Sequence, residues 1–149
     1  MKLASPDFSE GSSIPERFTC DGEEISPTLK IDEVPQAAKS LLLIVDDPDA
    51  PRGTFTHWLI WNLNPDLAEI MADTPPPGAV QGVNDFGTRQ YGGPCPPSGV
   101  HRYYFRLYAL DVTLELAPKS KRKAVDDVIK GHIVAEATLM GRYARKGGR

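Results

Sequence analysis

Four ionisable side chains are spaced so that a β-sheet can gather them at one end: Asp47, Asp49, His57 and His101. A carboxylate beside an imidazole fixes its tautomer and favours its charged form. Two imidazoles close to free backbone N–H groups can hold an anion by hydrogen bonds. The backbone donors are expected from Tyr91-Gly92-Gly93-Pro94-Cys95-Pro96-Pro97, a stretch made almost wholly of glycine and proline. Glycine lets a backbone come close to a ligand, and proline stiffens its path. Taken singly, each feature has a plainer reading. A lone histidine at a strand end makes an ordinary hydrogen bond, and a Gly/Pro run is a tight corner. Two histidines at equivalent strand starts favour a ligand site.

The elements that must position these groups are strands. Ser40 to Val45 is a continuous apolar run with branched residues, the pattern of a strand buried on both faces. It is expected to stop before Asp46-Asp47-Pro48-Asp49-Ala50-Pro51, leaving three carboxylates on a rigid turn. Phe55 to Leu63 is the next strand. Counting by twos puts His57, Leu59 and Trp61 on one face and Trp58, Ile60 and Asn62 on the other. His101 opens a third strand, to Leu110. The loop before it is long and rich in turn residues, and such loops in compact domains tend to carry function.

Elsewhere, residues 1–27 read as an irregular arm with one short strand near Phe18. Thr28 to Ile31 reads as a short strand, and Leu67 to Met71 as a short strand or turn. Lys119 to Gly131 fits one amphipathic helix, with Ala124, Val125, Val128 and Ile129 at helical spacing and Gly131 as its stop. Ala135 to Arg145 alternates as a last strand, with Ala137, Leu139, Gly141 and Tyr143 facing inward, although residues 132–140 could equally continue a helix.

Composition bounds the function. A chain of 149 residues, 40% hydrophobic, is one domain's length with enough apolar content for a core. Thirteen glycines and fourteen prolines argue for short strands and structured loops over long helices. A net charge of −3 argues against a nucleic-acid surface. The basic cluster Lys119-Ser120-Lys121-Arg122-Lys123 is read as the solvated start of the helix. Neither a secretion signal nor an apolar run long enough to span a bilayer is visible, so a cytoplasmic location without integral membrane association is expected. Cys20 and Cys95 fit no zinc pattern. Two free thiols are the expectation for a cytoplasmic chain. A disulfide closing a loop of roughly 75 residues is the sharper alternative.

The same residues carry a resemblance. Asp47-Pro48-Asp49-Ala50-Pro51 with His57-Trp58, then Tyr91 to Pro97 with His101-Arg102-Tyr103, resembles the phosphatidylethanolamine-binding protein family. Within it, the chain is similar to the prokaryotic YbhB/YbcL-like branch, also called Raf kinase inhibitor-like. Ile14-Pro15, Phe18-Thr19-Cys20-Asp21-Gly22, Ser26-Pro27 and the ending from His132 to Tyr143 extend it over almost the whole chain. The resemblance implies a single domain, residues 1–149, mainly β: an antiparallel Greek-key β-sandwich with a few short helices, one near the C-terminus. It also implies a rigid anion pocket for phosphate or phosphorylated head groups. Its lining would be Asp47, His57, Gly93, Pro94, Cys95, His101 and Tyr103. Asp49 is expected to orient the loop or Arg102, and Arg52 to pair with these carboxylates.

The leading expectation is therefore a non-enzymatic binding protein that holds a phosphate-bearing small ligand or a phosphorylated group, without a cofactor. A second, also implied by the resemblance, is an inhibitor that docks on a serine protease or kinase. A third is a metal-dependent hydrolase with Asp47, Asp49, His57 and His101 as ligands; no HExxH-type pair or nucleophile elbow supports it. A homodimer is a further expectation from the resemblance.

Overall fold

The computed structural model describes residues 1–145. Its strands are β1 (Lys2–Ala4), β2 (Leu29–Asp32), β3 (Ser40–Asp47), β4 (Phe55–Leu63), β5 (Glu69–Ile70), β6 (Val80–Gln81), β7 (His101–Leu110) and β8 (Ile133–Tyr143). One α-helix, α1 (Arg122–Ile129), and a 3-10 turn at Glu16–Phe18 complete it. The strands form two sheets, ordered β1-β2-β5 and β6-β4-β3-β7-β8, with every strand pair antiparallel. In the larger sheet β7 returns to lie beside β3, on the side away from β4 and β6. That is the spatial order of a Greek key.

The apolar run of β3 explains its central place. Leu41 to Val45 are fully buried. Leu41, Leu43 and Val45 enter the core between the two sheets, beside Leu29, Ile31, Trp58, Phe105 and Leu107. Leu42 and Ile44 point the other way, under α1, beside Leu59, Trp61, Val125 and Ile129. A strand with both faces covered has no use for alternation, and its sequence shows none. β7 alternates: His101, Tyr103, Phe105, Leu107 and Ala109 are buried, while Arg102 is exposed and Tyr104, Arg106 and Tyr108 are partly so.

Several sequence-based expectations change. The early strand is Lys2–Ala4, and Phe18 lies in a 3-10 turn. β3 runs two residues further than expected, so Asp46 and Asp47 are buried strand residues; Asp49 stands on the turn. Simple alternation also fails in β4. Val45 pairs with Trp58 but Asp46 with Thr56, so His57 is the extra residue of a β-bulge. The bulge turns His57 toward Tyr103, on the face that carries Trp58 and Ile60.

The cysteines are joined. Cys20 and Cys95 form a disulfide across 75 residues, with no free thiol among the described residues. The expectation of two free thiols is corrected: the Glu16–Phe18 turn carries Cys20 to the Gly/Pro stretch, where its N–H donates to the Pro94 carbonyl at 3.1 Å. No described helix is long and apolar enough to cross a membrane.

Candidate functional site

Because β3 is antiparallel to both β4 and β7, its C-terminal end meets the N-terminal ends of both. Asp47 therefore lies next to the strand starts that carry His57 and His101. The three residues are 3%, 4% and 7% exposed, and with Tyr103 they border a cavity of about 200 Å³. Its remaining walls are apolar or disulfide-bonded: Ala50, Pro51, Phe55, Phe86, Cys95, Pro96 and Pro97.

Each polar group is held. Asp47 accepts from His101 Nδ1 at 2.6 Å through Oδ2 and from the Asp49 N–H at 2.8 Å through Oδ1. His101 is thereby fixed at the cavity's border, and among the described residues its other ring nitrogen makes no hydrogen bond. His57 Nδ1 donates to the Gly92 carbonyl at 2.8 Å, while the Gly92 N–H donates to the His57 carbonyl at 3.0 Å. The ring of His57 meets Phe55, Phe86 and Tyr103 edge-to-face, with centroids 5.0, 5.3 and 5.3 Å away. Burial pushes the His57 imidazole below the ordinary histidine range, against the opposing pull of the Gly92 carbonyl and Asp47.

Tyr103 is the unusual member. The residue is 1% exposed, and among the described residues its hydroxyl has no well-formed hydrogen-bond partner, although Asp47 and the Cys95 backbone lie close by. Burial, reinforced by Asp47, raises its pKa, so the hydroxyl stays protonated and able to donate. A buried hydroxyl without a partner is costly, and a ligand oxygen in the cavity would relieve it.

The loop from Asn84 to Pro97 closes the site. Asn84, itself buried, accepts from the Phe86 and Thr88 N–H groups and donates to the His57 and Gln90 carbonyls. It thus binds the loop to the backbone of His57. Gly92 lets the Phe86 ring pack this closely, since a Cβ would fall 2.4 Å from it. Tyr91 anchors the far side through its hydroxyl, which donates to the Phe18 carbonyl at 2.7 Å.

Among the predicted site residues, Asp47, His57, Cys95, His101 and Tyr103 converge on the cavity. Gly93 and Pro94 do not line it. Gly93 is packed against the Phe18 carbonyl and donates its N–H to Glu24, and the Pro94 carbonyl is taken by Cys20. The N–H groups of Gly92 and Gly93 are therefore spent inside the protein, and the ligand-facing donors are side chains. Asp49 faces away from the cavity: it accepts from Arg102 Nε and Nη2 at 2.9 and 2.8 Å and from the Arg102 N–H. These bonds bring its carboxyl down to about 2. Arg52 is exposed on the turn and makes no ion pair among the described residues; Arg102 takes the place expected of it. With Asp49 turned to Arg102, the four residues considered as metal ligands do not converge. Among the described residues no group of three or more histidine, cysteine or acidic side chains is placed to hold a metal ion.

Sequence reasoning missed Phe55, Phe86 and Asn84. Phe86 is 48% exposed and lies in a polar, glycine-containing loop, so no apolar periodicity marks it. In sequence the Asn-Asp-Phe-Gly stretch that places it is indistinguishable from ordinary turn chemistry.

Comparison with known proteins follows the same lines. The family profile described as phosphatidylethanolamine-binding protein matches residues 4–144. A protein of Methanothermobacter thermautotrophicus, named only UPF0098, is 52% identical over 150 residues, covering 97% of this chain and 99% of that one. Another UPF0098 protein, from Pyrococcus horikoshii, is 47% identical over 98% of this chain and 77% of its own. The crystal structure of a Chlamydia trachomatis protein described as a PEBP homolog superposes with a TM-score of 0.93 at 42% identity, over 97% of both chains. YbcL of Escherichia coli, described as a member of the mammalian PEBP family, superposes at 0.91 with 30% identity, over 97% of this chain and 98% of its own.

Proposed function

Since the chain belongs to the phosphatidylethanolamine-binding protein family, we propose that it is a non-enzymatic binding protein whose cavity takes phosphate or a phosphorylated group. One observation carries the reading: the buried Tyr103 hydroxyl has no well-formed hydrogen bond among the described residues and stands beside His101, whose ring is oriented by Asp47. A protonated His101 gives a charge-assisted bond to an anion from its free nitrogen, and Tyr103 adds a neutral one. Because Asn84, the disulfide and three prolines hold the walls before a ligand arrives, little ordering entropy is lost on binding.

The volume sets the scale of the ligand. About 200 Å³ is below the usual range of pockets for drug-sized molecules. It accommodates a phosphoryl group with a short substituent, and the apolar rim of Ala50, Pro51, Phe86 and Pro97 would pack on that substituent. Regulation would follow if the phosphoryl group belongs to another protein.

The test is an NMR titration of the His57 and His101 ring protons with inorganic phosphate and O-phosphoethanolamine, assigned with single histidine variants. Both rings are expected to shift together and saturate, with Tyr103→Phe weakening the effect. Rings that stay still with both compounds would remove the anion reading.

A further inference from the structure

The two histidines of the cavity are not equivalent. Their difference bears on which anions the site accepts, an argument that rests on the anion reading above. His101 gives its Nδ1 proton to a carboxylate. His57 gives its Nδ1 proton to the Gly92 carbonyl, a group that only accepts, so Nδ1 must carry hydrogen. A neutral imidazole holds one N–H, and His57 Nε2 then has a bare lone pair. Among the described residues no protein group hydrogen-bonds that nitrogen, and His57 borders the cavity.

We infer that His57 presents an acceptor, and that the site selects anions bringing a hydroxyl of their own: hydrogen phosphate and phosphomonoesters over sulfate esters and phosphodiesters. An ester that carries a P–OH donates it to His57 Nε2 while its anionic oxygens take His101 and Tyr103. A sulfate ester or phosphodiester sets an oxygen lone pair against the nitrogen lone pair, a repulsion that discriminates as effectively as an added contact.

The charge around the site agrees. Facing His57 are Asp47 from β3, with Asp46 behind it, and Tyr103 and His101 from β7. The 84–97 loop brings the Gly92 and Gly93 carbonyls and the Phe86 ring to the imidazole, and β4 itself contributes Phe55. No lysine or arginine borders the cavity. The one carboxylate of the wall, Asp47, is matched by one imidazole, His101, so no cationic side chain remains in the wall to offset a second negative charge. A monoanion fits that balance, and a phosphomonoester becomes one by keeping its proton. Burial of the His57 ring, which disfavours the imidazolium, acts in the same sense.

The probe pair is methyl phosphate and methyl sulfate. Near pH 6, about the second pKa of a phosphomonoester, half or more of the first is a monoanion of the same shape and charge as the second, differing by one proton. Calorimetric titration of the full chain is expected to give methyl phosphate an affinity about tenfold or more above methyl sulfate. His57→Gln, whose amide can donate to either ester, should close the gap. Methyl sulfate binding as well as methyl phosphate overturns the inference and leaves the anion site standing. If neither ester binds, the anion reading and this inference fall together. A second measurement does not depend on any variant. The ¹⁵N shift of His57 Nε2 in the unliganded protein should be that of an unprotonated ring nitrogen, and a protonated Nε2 overturns the inference.

Discussion

Asp46 and Asp47 share a peptide bond and serve opposite faces of the same sheet. Asp47 holds His101 at the cavity between β3, β4 and β7. Asp46, 1% exposed, is held by Arg106 Nε at 3.0 Å and Arg122 Nη1 at 3.1 Å on the face that carries α1. Alternation along a strand is the whole cause. It gives neighbouring carboxylates separate duties.

Asp46→Asn should therefore cost stability and spare binding. It leaves two guanidinium groups facing a neutral amide, and both are part-exposed, which softens the loss. About 1–3 kcal/mol is expected, at the low end for a broken buried ion pair. Asp47→Asn should do the reverse, lowering phosphate affinity about tenfold or more by removing the carboxylate that holds and orients the His101 ring. Urea unfolding and phosphate titration on both variants check the division. Equal effects of the two substitutions on binding would contradict it.

The Cys20–Cys95 bond joins the arm to the Gly/Pro loop across 75 residues. In the chain-entropy account a closure of this length stabilises by up to about 4 kcal/mol. Reduction, or the Cys20→Ser/Cys95→Ser double variant, should lower the unfolding midpoint by a corresponding amount. The three hydrogen bonds between arm and loop, from Cys20, Tyr91 and Gly93, survive that change. The folded cavity should accordingly keep its ligand affinity within about threefold below the new midpoint. Titration in the presence and absence of reductant measures this.

Gly92→Ala tests the role of Phe86. The added methyl meets the Phe86 ring, and because that ring is half exposed it can swing outward at a cost of about 1 kcal/mol. His57 then loses an aromatic cover and gains water. Its titration midpoint should rise toward 6.5, the value of an unperturbed histidine. Phe86→Ala should move it in the same direction. A midpoint unchanged in both variants would show that Phe86 does not set the environment of His57.

Stability should depend on pH in two windows. His57 is held below its ordinary range when folded, so between that lowered value and about 6.5 the unfolded chain binds the extra proton. Its contribution is complete above about pH 6.5 and is lost as pH falls through the folded value, by at most about 1.4 kcal/mol per unit. Asp49 behaves as a depressed carboxylate: its contribution is present above about pH 4 and disappears as pH falls to about 2. Exposure of the Asp49–Arg102 pair keeps that second loss within about 1 kcal/mol. Urea midpoints from pH 8 to 2 should show both steps. His57→Gln should remove the first and Arg102→Met the second.

The longer strands, and which end of the larger sheet matters, were legible in the sequence alone. Ser40 to Val45 could only be a doubly buried strand, because five apolar residues in a row leave no polar face. Asp47, His57 and His101 were legible as partners because each sits where an apolar run begins or ends. Tertiary structure alone decided the rest. The β-bulge opposite Asp46 reversed the face of His57, since one extra residue shifts the parity of alternation and leaves no mark in composition. The disulfide depended on a 3-10 turn carrying Cys20 to Cys95, a distance that spacing along the chain does not encode. The Gly/Pro loop looked like a source of backbone donors, but its N–H groups found partners in Glu24 and His57. What faces the cavity is therefore set by side chains from three strands, and by a phenylalanine whose place depends on the hydrogen bonds of one buried asparagine.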